Sequence, residues 1–237
     1  MIVLGIDTSG YANAVGVIDG EQILADFVFE ARTDSLEKIV ANVDFVLQSA
    51  GLTLGDVQGI GVGLGPGSWT GIRVGVTVGK ILAFSTNKPV CGVPTLEALA
   101  YSARNEASLI CPIISAGARD TVYAAFYRAR DGSVTRVSEY YVGDVPGLSQ
   151  MARKSTVFVG PEIHSYRQLI SQASGLIGIS TKAVEVVPQG SAVARLAAIR
   201  LEQGESDDAL SLTPLYLKES TARAFSGKYS GNAQVKG

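Results

Sequence analysis

The chain has few of the residues on which metal-dependent and nucleophilic enzymes rely. Its 237 residues include one histidine, two cysteines and two methionines. A zinc or iron centre needs a cluster of ligands, and the sequence has neither an HExxH pair nor a GxSxG nucleophile elbow. These absences weigh against a peptidase. We expect His164 at the surface or at a helix start, and Cys91 and Cys111, both in apolar segments, as buried thiols rather than a disulfide.

Charge and long apolar runs are also scarce. Charged residues make up 18% of the chain and the formal net charge is -2, so no strong basic field attracts nucleic acid. The sequence contains no run of about 18 apolar residues, so we expect no membrane span. The N-terminal MIVLGIDTSG lacks a basic region and is interrupted by Asp7, so it does not resemble a signal peptide. We therefore expect a soluble, cytoplasmic protein.

Hydrophobic periodicity divides the first half into short strands and longer helices. An apolar stripe predicts a helix over 34–49, with Asp34 and Glu37 as a capping box and Gly51 as its stop. In chain order the predicted elements are strands IVLGID, NAVGVI and EQILADFVFE, helix 34–49, strand VQGIGVG, a helix to about Phe84, strand PVCGV and helix TLEALAYSAR.

The second half repeats this plan, with strands LICPIIS, DTVYAAFYRAR, SVTRVSEYYV, STVFVG and AVEVV, a helix near 163–173 and a closing helix GSAVARLAAIRLEQG. Each half opens with two strands and a tight Asp-Gly turn, at Asp19-Gly20 and Asp131-Gly132. A duplicated βββαβα plan is that of the actin-like (ASKHA, ribonuclease H-like) superfamily. We expect an α/β fold with an N-terminal domain over 1–105, a C-terminal domain over 106–220 and a flexible tail over 221–237.

Three polar residues at the end of the first strand form one candidate site. Asp7, Thr8 and Ser9 suit contact with a phosphate or Mg²⁺, and they equally suit a turn capped by its own side chains. The matching strand end in the second half, at 114–118, has no carboxylate. Asp120 is the nearest acid, so a two-carboxylate nucleotide site is incomplete.

A glycine-rich loop precedes the second predicted helix. Its spacing does not match a P-loop. Gly65, Gly67 and Ser68 nevertheless lie before a helix N-terminus, where free amides can bind an anion. Ser68 is somewhat better explained as the N-cap of that helix. The loop is therefore a candidate for vestigial nucleotide binding.

Glycines recur every four residues in the same helix. Gly71, Gly75 and Gly79 lie on one face, and each lowers helix stability by about 1 kcal/mol relative to alanine. Close approach of another backbone would offset that loss, and the backbone is either the chain's own or a partner's. We favour a partner, with the helix over 34–49 alongside. The expected interface residues are Leu36, Ile39, Val40, Val43, Gly71, Ile72, Gly75, Val76 and Gly79.

Three segments together resemble the TsaB (YeaZ) family. They are LGIDTSGYANAVGV, the long block GVGLGPGSWTGIRVGVTVGKILAFSTNKPVCGVPTLEALA, and PLYLKES. The middle block is the most specific, and the resemblance extends over about residues 1 to 220. Members of this family are paralogues of the actin-like subunit that transfers a threonylcarbamoyl group to the tRNA adenosine beside the anticodon.

The resemblance implies a non-catalytic scaffold in tRNA modification. It implies a TsaD-like catalytic paralogue as partner, pairing through N-terminal helices, and a TsaE-like P-loop ATPase in the same complex. A homodimer in the partner's absence and weak ATP or ADP binding stay open, and tRNA is expected to bind only through the complex. No cofactor or metal is expected of the chain alone.

The sequence departs from the family pattern at two places. Residues 33–37 read TDSLE where relatives have His-Ser-Glu, and 116–118 read AGA, followed by Arg119, where relatives have Asp-Ala-Arg. Both departures weigh against nucleotide or metal chemistry. The alternative function is an autonomous actin-like ATPase or phosphotransferase that uses Asp7 and the loop at 65–68.

Overall fold

A computed structural model describes residues 1–10, 12–30, 38–117 and 120–218 of the chain. The first half forms a five-stranded sheet, the N-terminal sheet, in the order β3-β2-β1-β4-β5. Strands β1, β2 and β3 pair antiparallel, whereas β1, β4 and β5 run parallel. The elements are β1 (Ile2–Asp7), β2 (Ala12–Asp19), β3 (Gln22–Glu30), α1 (Ile39–Ser49), a 3-10 turn (Leu54–Asp56), β4 (Gly59–Gly63), α2 (Trp69–Thr86), β5 (Val90–Val93) and α3 (Thr95–Ser102).

The second half forms a seven-stranded C-terminal sheet. Its main path is β10-β7-β6-β11-β12, and β8 pairs with both β6 and β9. The elements are β6 (Leu109–Ser115), β7 (Thr121–Ala124), β8 (Tyr127–Arg130), β9 (Ser133–Arg136), β10 (Tyr141–Asp144), α4 (Val145–Gln150), β11 (Thr156–Gly160), α5 (Ile163–Leu176), β12 (Lys182–Glu185) and α6 (Gly190–Glu202).

Two predicted strands of the second half are each divided in two. The run from Thr121 to Arg130 is broken at Ala125 and Phe126, although β7 and β8 both pair antiparallel with β6. The amide of Phe126 donates to the hydroxyl of Ser138 at 2.9 Å, so a side chain replaces the ladder partner there. If β7 and β8 are counted as one strand and β9 and β10 as another, the strand order matches that of the N-terminal sheet. The duplicated actin-like plan predicted from the sequence is confirmed.

The predicted turns and stops are largely confirmed. Asp131 and Gly132 both have positive φ and close the β8–β9 hairpin. The first hairpin is shifted by one residue, because Asp19 pairs with Gln22 and the loop is Gly20 and Glu21. Gly51, with φ of 71°, follows the end of α1 as the sequence predicts. The predicted capping box of Asp34 and Glu37 lies outside the described residues.

Each half contributes a helix to the other half. Helix α6 packs on β1, β2 and β4 of the N-terminal sheet, and α3 packs on β6, β8 and β9 of the C-terminal sheet. Three strand glycines admit the backbone of α6. A Cβ on Gly5 would lie 2.1 Å from the carbonyl oxygen of Gly190, and one on Gly16 would lie 2.4 Å from the amide of Ser191. A Cβ on Gly61 would lie 2.7 Å from the Cβ of Ala197 and 2.9 Å from the carbonyl oxygen of Val193.

The glycine face of α2 points into the chain's own core, which corrects the predicted partner contact. A Cβ on Gly71 would lie 2.0 Å from the carbonyl oxygen of Thr8, and one on Gly75 would lie 2.2 Å from the Thr8 hydroxyl. Gly79 is closed by Val62 in the same way. These glycines allow α2 to approach β1 and β4. They leave no room for a partner.

The same correction applies to most of the predicted interface. Within the described residues, only Val40 of that set is exposed, at 57%. Leu36 lies outside the described residues. The members buried against the chain's own sheet or in its core are Ile39, Val43, Gly71, Ile72, Gly75, Val76 and Gly79.

Candidate functional site

The carboxylate of Asp7 is enclosed by the chain's own hydrogen-bond donors. One carboxylate oxygen accepts from the amide of Ser9 at 2.8 Å and from its hydroxyl at 2.5 Å. The other accepts from the hydroxyl of Thr95 at 2.8 Å. All three residues are about 1% exposed. A carboxylate used in this way on both oxygens is not presented to a metal ion or a phosphate.

Burial dominates the electrostatics of this group. It raises the pKa of Asp7 above its ordinary value, while the hydrogen bonds from Ser9 and Thr95 act in the opposite direction. A raised pKa favours the neutral carboxyl, which binds metal ions poorly. The electrostatics therefore agree with the geometry.

The glycine-rich loop lies directly on this turn. The amide of Ser68 donates to the carbonyl oxygen of Ser9 at 2.7 Å, and a Cβ on Gly67 would lie 2.2 Å from that oxygen. Ser68 also caps α2, since its hydroxyl accepts from the amide of Gly71 at 3.2 Å. The amides of Ser68 and Gly71 are thus bound within the chain rather than offered to an anion.

The structure therefore brings the predicted site residues together but closes them on one another. Thr8 completes the cluster by donating to the carbonyl oxygen of Gly71 at 2.6 Å. Gly65 accepts from the amide of Thr95 at 2.8 Å. Sequence reasoning missed Thr95, whose position at the start of α3, well apart in the chain, gave no local signal. We name the set the Asp7 cluster, and its members are Asp7, Thr8, Ser9, Gly65, Gly67, Ser68 and Thr95.

The second half supplies no carboxylate opposite this cluster at the end of β6. That strand ends at Ser115, and Ala116 and Gly117 follow. Asp120 is exposed, has φ of 58° and immediately precedes β7. Across the described residues, no group of three or more His, Cys, Asp or Glu side chains is placed to hold a metal ion. Ala118 and Arg119 lie outside the described residues.

The remaining sequence candidates have structural roles. Cys91 and Cys111 are free and buried, as predicted. His164 lies at the start of α5, and its ring nitrogen is 2.7 Å from a carboxylate oxygen of Glu185 at the surface. Among the described residues, no helix is long and apolar enough to cross a membrane.

Large apolar side chains are exposed on the outer sides of α1 and α2, away from their buried stripes, and one of them, Phe45, also packs edge-on against Phe27 and Phe29 of β3. The two helices pack side by side over the same face of the N-terminal sheet. We call the outer surface of these two helices the docking face and define it by four large side chains. They are Val40 at 57% exposure, Phe45 at 49%, Ile81 at 59% and Phe84 at 70%.

The chain was compared with known families and proteins. Residues 29–235 match the family model described as TsaD, tRNA N6-adenosine threonylcarbamoyltransferase. The chain is 29% identical over 227 residues to a tRNA threonylcarbamoyladenosine biosynthesis protein TsaB of Bacillus subtilis, covering 94% of this chain and 97% of that protein. It is 31% identical over 134 residues to the Escherichia coli TsaB protein, covering 56% and 58% respectively.

Solved structures agree on the fold. A Pseudomonas aeruginosa protein described as similar to peptidase YEAZ superposes with a TM-score of 0.78 at 24% identity, covering 92% of this chain and 99% of that one. A ROK hexokinase of Thermus thermophilus superposes with a TM-score of 0.52 at 14% identity, covering 85% and 100%. These likenesses show an actin-like fold. With a family model that spans most of its length and a TsaB relative aligned over nearly all of it, the chain belongs to the TsaD family, on its TsaB (YeaZ) branch.

Proposed function

We propose that this chain is the non-catalytic partner subunit of a TsaD-like catalytic paralogue in tRNA threonylcarbamoyladenosine biosynthesis. The names of its TsaB relatives support the pathway, and TsaD proteins are relatives of the same chain. The docking face is the observation that carries the proposal. Large exposed apolar side chains on adjacent helices are typical of protein interaction sites, and Phe84 at 70% exposure has no role in the chain's own core.

The closed Asp7 cluster supports the non-catalytic part of the proposal. In an actin-like ATPase a carboxylate at the end of the first strand must reach the metal ion. Here the carboxylate of Asp7 accepts hydrogen bonds from Ser9 and Thr95, and the described end of β6 has no second acidic residue. We therefore propose that the chain needs no cofactor of its own and reaches tRNA only through the complex.

The proposal extends to domains and further partners. The first domain, 1–105, would carry the docking face, and the second, 106–220, would complete the actin-like pair. A TsaE-like P-loop ATPase would join the complex. Without its paralogue the chain would form a homodimer through the same face, since a surface suited to a related subunit also suits a second copy.

Substitutions on the docking face test the proposal. Ile81→Asp or Phe84→Asp places a carboxylate in a desolvated contact, so the Kd for the purified TsaD-like subunit should rise at least about 30-fold. Isothermal titration calorimetry measures it. Leu176→Asp is the matched control, since Leu176 is 84% exposed and ends α5 on the other half. Wild-type affinity in both docking-face variants would overturn the proposal.

A further inference from the structure

The segment after α6 crosses to the far side of the N-terminal sheet and runs along α2. We call residues 207–218 the strap. It begins at the edge strand β5, where the amide of Asp207 donates to the carbonyl oxygen of Val90 at 2.8 Å. The carboxylate of Asp207 accepts from the amide of Gly92 at 2.7 Å. These bonds fix the point at which the strap passes around the sheet.

Side chains of α2 then hold the strap in place. Lys80 donates to the carbonyl oxygens of Leu210 at 3.0 Å and Leu212 at 2.9 Å. The side chain of Leu212 is buried at 7% exposure, and the amide of Leu215 donates to the carbonyl oxygen of Leu64 at 2.9 Å. The strap is thus an ordered edge of the surface that α2 presents.

The strap ends in an exposed cluster of three side chains. The rings of Trp69 and Tyr216 are stacked with centroids 4.2 Å apart. The guanidinium of Arg73 lies 4.4 Å from the Trp69 ring centroid, and its Nε donates to the Tyr216 hydroxyl at 3.0 Å. Trp69 is 37% exposed and Tyr216 40%. No carboxylate of the described residues lies within ion-pair distance of Arg73, so its terminal nitrogens have no acidic partner there.

This cluster continues the docking face. Trp69, Arg73, Thr77 and Ile81 are spaced by four residues along α2 and therefore lie on one side of the helix. Trp, Tyr and Arg are the residue types most enriched among the dominant contacts of protein interfaces. Because the three side chains already contact one another, they would lose little rotamer freedom when a partner binds.

We propose that the partner subunit docks across α2 and the strap together, with Trp69 and Tyr216 as an apolar anchor and Arg73 paired with a carboxylate of the partner. This inference rests on the proposed function and adds the strap to its interface. The fork of Arg73 suits a carboxylate on two parallel hydrogen bonds. The occupant is therefore a protein surface with an Asp or Glu beside an apolar side chain.

A nucleic acid would also stack on exposed aromatic rings, but the surroundings disfavour it. The strap includes two carboxylates, Asp207 and the exposed Asp208, against one lysine, Lys218, which lies over the ring of Tyr123. Lys80 of α2 is engaged with strap carbonyls rather than free for phosphate. Phosphate binding needs several available cations in one place.

Three variants test the inference in binding to the purified TsaD-like subunit. Tyr216→Ala removes the anchor and Arg73→Gln removes the charge, and each should raise the Kd about tenfold or more. Leu176→Ala is the control, since this side chain is 84% exposed and ends α5, outside both α2 and the strap. Raising the salt concentration should weaken wild-type binding more than Arg73→Gln binding. The melting temperature of each variant checks that it is folded.

The outcomes separate this inference from the proposed function. If Tyr216→Ala and Arg73→Gln bind like wild type while Phe84→Asp does not, the strap inference is wrong and the docking face stands. If Ile81→Asp and Phe84→Asp also bind normally, both are wrong. If Tyr216→Ala keeps its partner affinity but loses tRNA binding in a mobility-shift assay, the cluster is an RNA surface and the inference is overturned.

Discussion

Single glycines set how closely α2 approaches the N-terminal sheet. At Gly71 the nearest atom to an added Cβ is a backbone carbonyl, which cannot move aside as the end of a flexible side chain can. At Gly175 of α5, by contrast, nothing lies within 4 Å of an added Cβ. The two positions share helical geometry and differ in surroundings, so they form a matched pair.

Gly71→Ala should destabilise the fold, and Gly175→Ala should stabilise it. Overpacking at Gly71 is expected to cost about 3 kcal/mol, which corresponds to roughly 6 to 12 °C in melting temperature for a chain of this size. Gly175→Ala should gain about 0.5 to 1 kcal/mol from helix propensity. Thermal denaturation followed by circular dichroism measures both. Equal changes at the two sites would contradict the inward packing of the glycine face.

Asp7 should give the fold a specific pH dependence. Burial places its folded-state pKa above the unfolded value of about 3.9. The stability linked to its bound proton is therefore present at low pH and is lost as the pH rises from about 4 through the raised pKa. Asp7→Asn does not lose stability in this way, because an asparagine side chain does not titrate. The melting temperature of Asp7→Asn minus that of wild type should become more positive between pH 4 and 7.

Subtracting the wild-type melting temperature separates the contribution of Asp7 from that of the other titratable groups. Burial also raises the pKa of Asp26, which accepts hydrogen bonds from Gly190 and Ser191 at the start of α6. That contribution is present in both proteins and cancels in the difference. A difference that stays constant across the pH range would show that Asp7 titrates as it does in the unfolded chain.

At the level of secondary-structure elements, one ion pair joins α6, which packs on the N-terminal sheet, to α3, which packs on the C-terminal sheet. Arg200 of α6 donates to both carboxylate oxygens of Glu97 in α3 at 2.7 Å, and to the carbonyl oxygen of Gly92 at 2.8 Å. The side chains are 25% and 19% exposed, so the pair is largely shielded from water. It fixes α3 relative to α6 and thereby one half of the molecule relative to the other.

Breaking this pair from one side should cost more than removing it entirely. Arg200→Gln leaves the largely buried carboxylate of Glu97 without its cation, and we expect a loss of about 1 to 3 kcal/mol in the free energy of unfolding. The double variant with Glu97→Gln should be less destabilised than the sum of the single variants, with a coupling of about 1 kcal/mol. Urea denaturation measures all four proteins. Additive losses would show that the two side chains do not interact in solution.

Some of the strands and helices could be predicted from the sequence and others could not. Alternating apolar residues and the Asp131-Gly132 turn predicted the hairpins because these signals are local. The break at Ala125 and Phe126 was not predictable, since it depends on a hydroxyl twelve residues away. Helix α4 was missed although Asp144 caps it and Pro146 follows in its first turn. An Asp-x-Pro start at the end of a strand was a usable signal.

Across the whole molecule, the sequence predicted every member of the Asp7 cluster except Thr95, but not whether the cluster faces a ligand or closes on itself. Asp7 and the loop at 65–68 are adjacent because β1 and β4 are parallel neighbours. Whether a carboxylate faces a cleft or its own turn depends on Thr95, at the start of α3. Likewise, helical spacing identifies a glycine face but not its direction. The direction follows from tertiary contacts with Thr8, just after β1, and Val62 of β4.

The most direct test of the account is tRNA modification reconstituted from purified subunits, with this chain as wild type, Asp7→Asn or Phe84→Asp. We predict that threonylcarbamoyladenosine forms with wild type and, within about twofold, with Asp7→Asn, and that it fails with Phe84→Asp, because the proposed contribution of this chain is partner binding and not chemistry. Loss of product with Asp7→Asn, while its melting temperature and its affinity for the TsaD-like subunit stay normal, would contradict the account and assign a chemical role to Asp7.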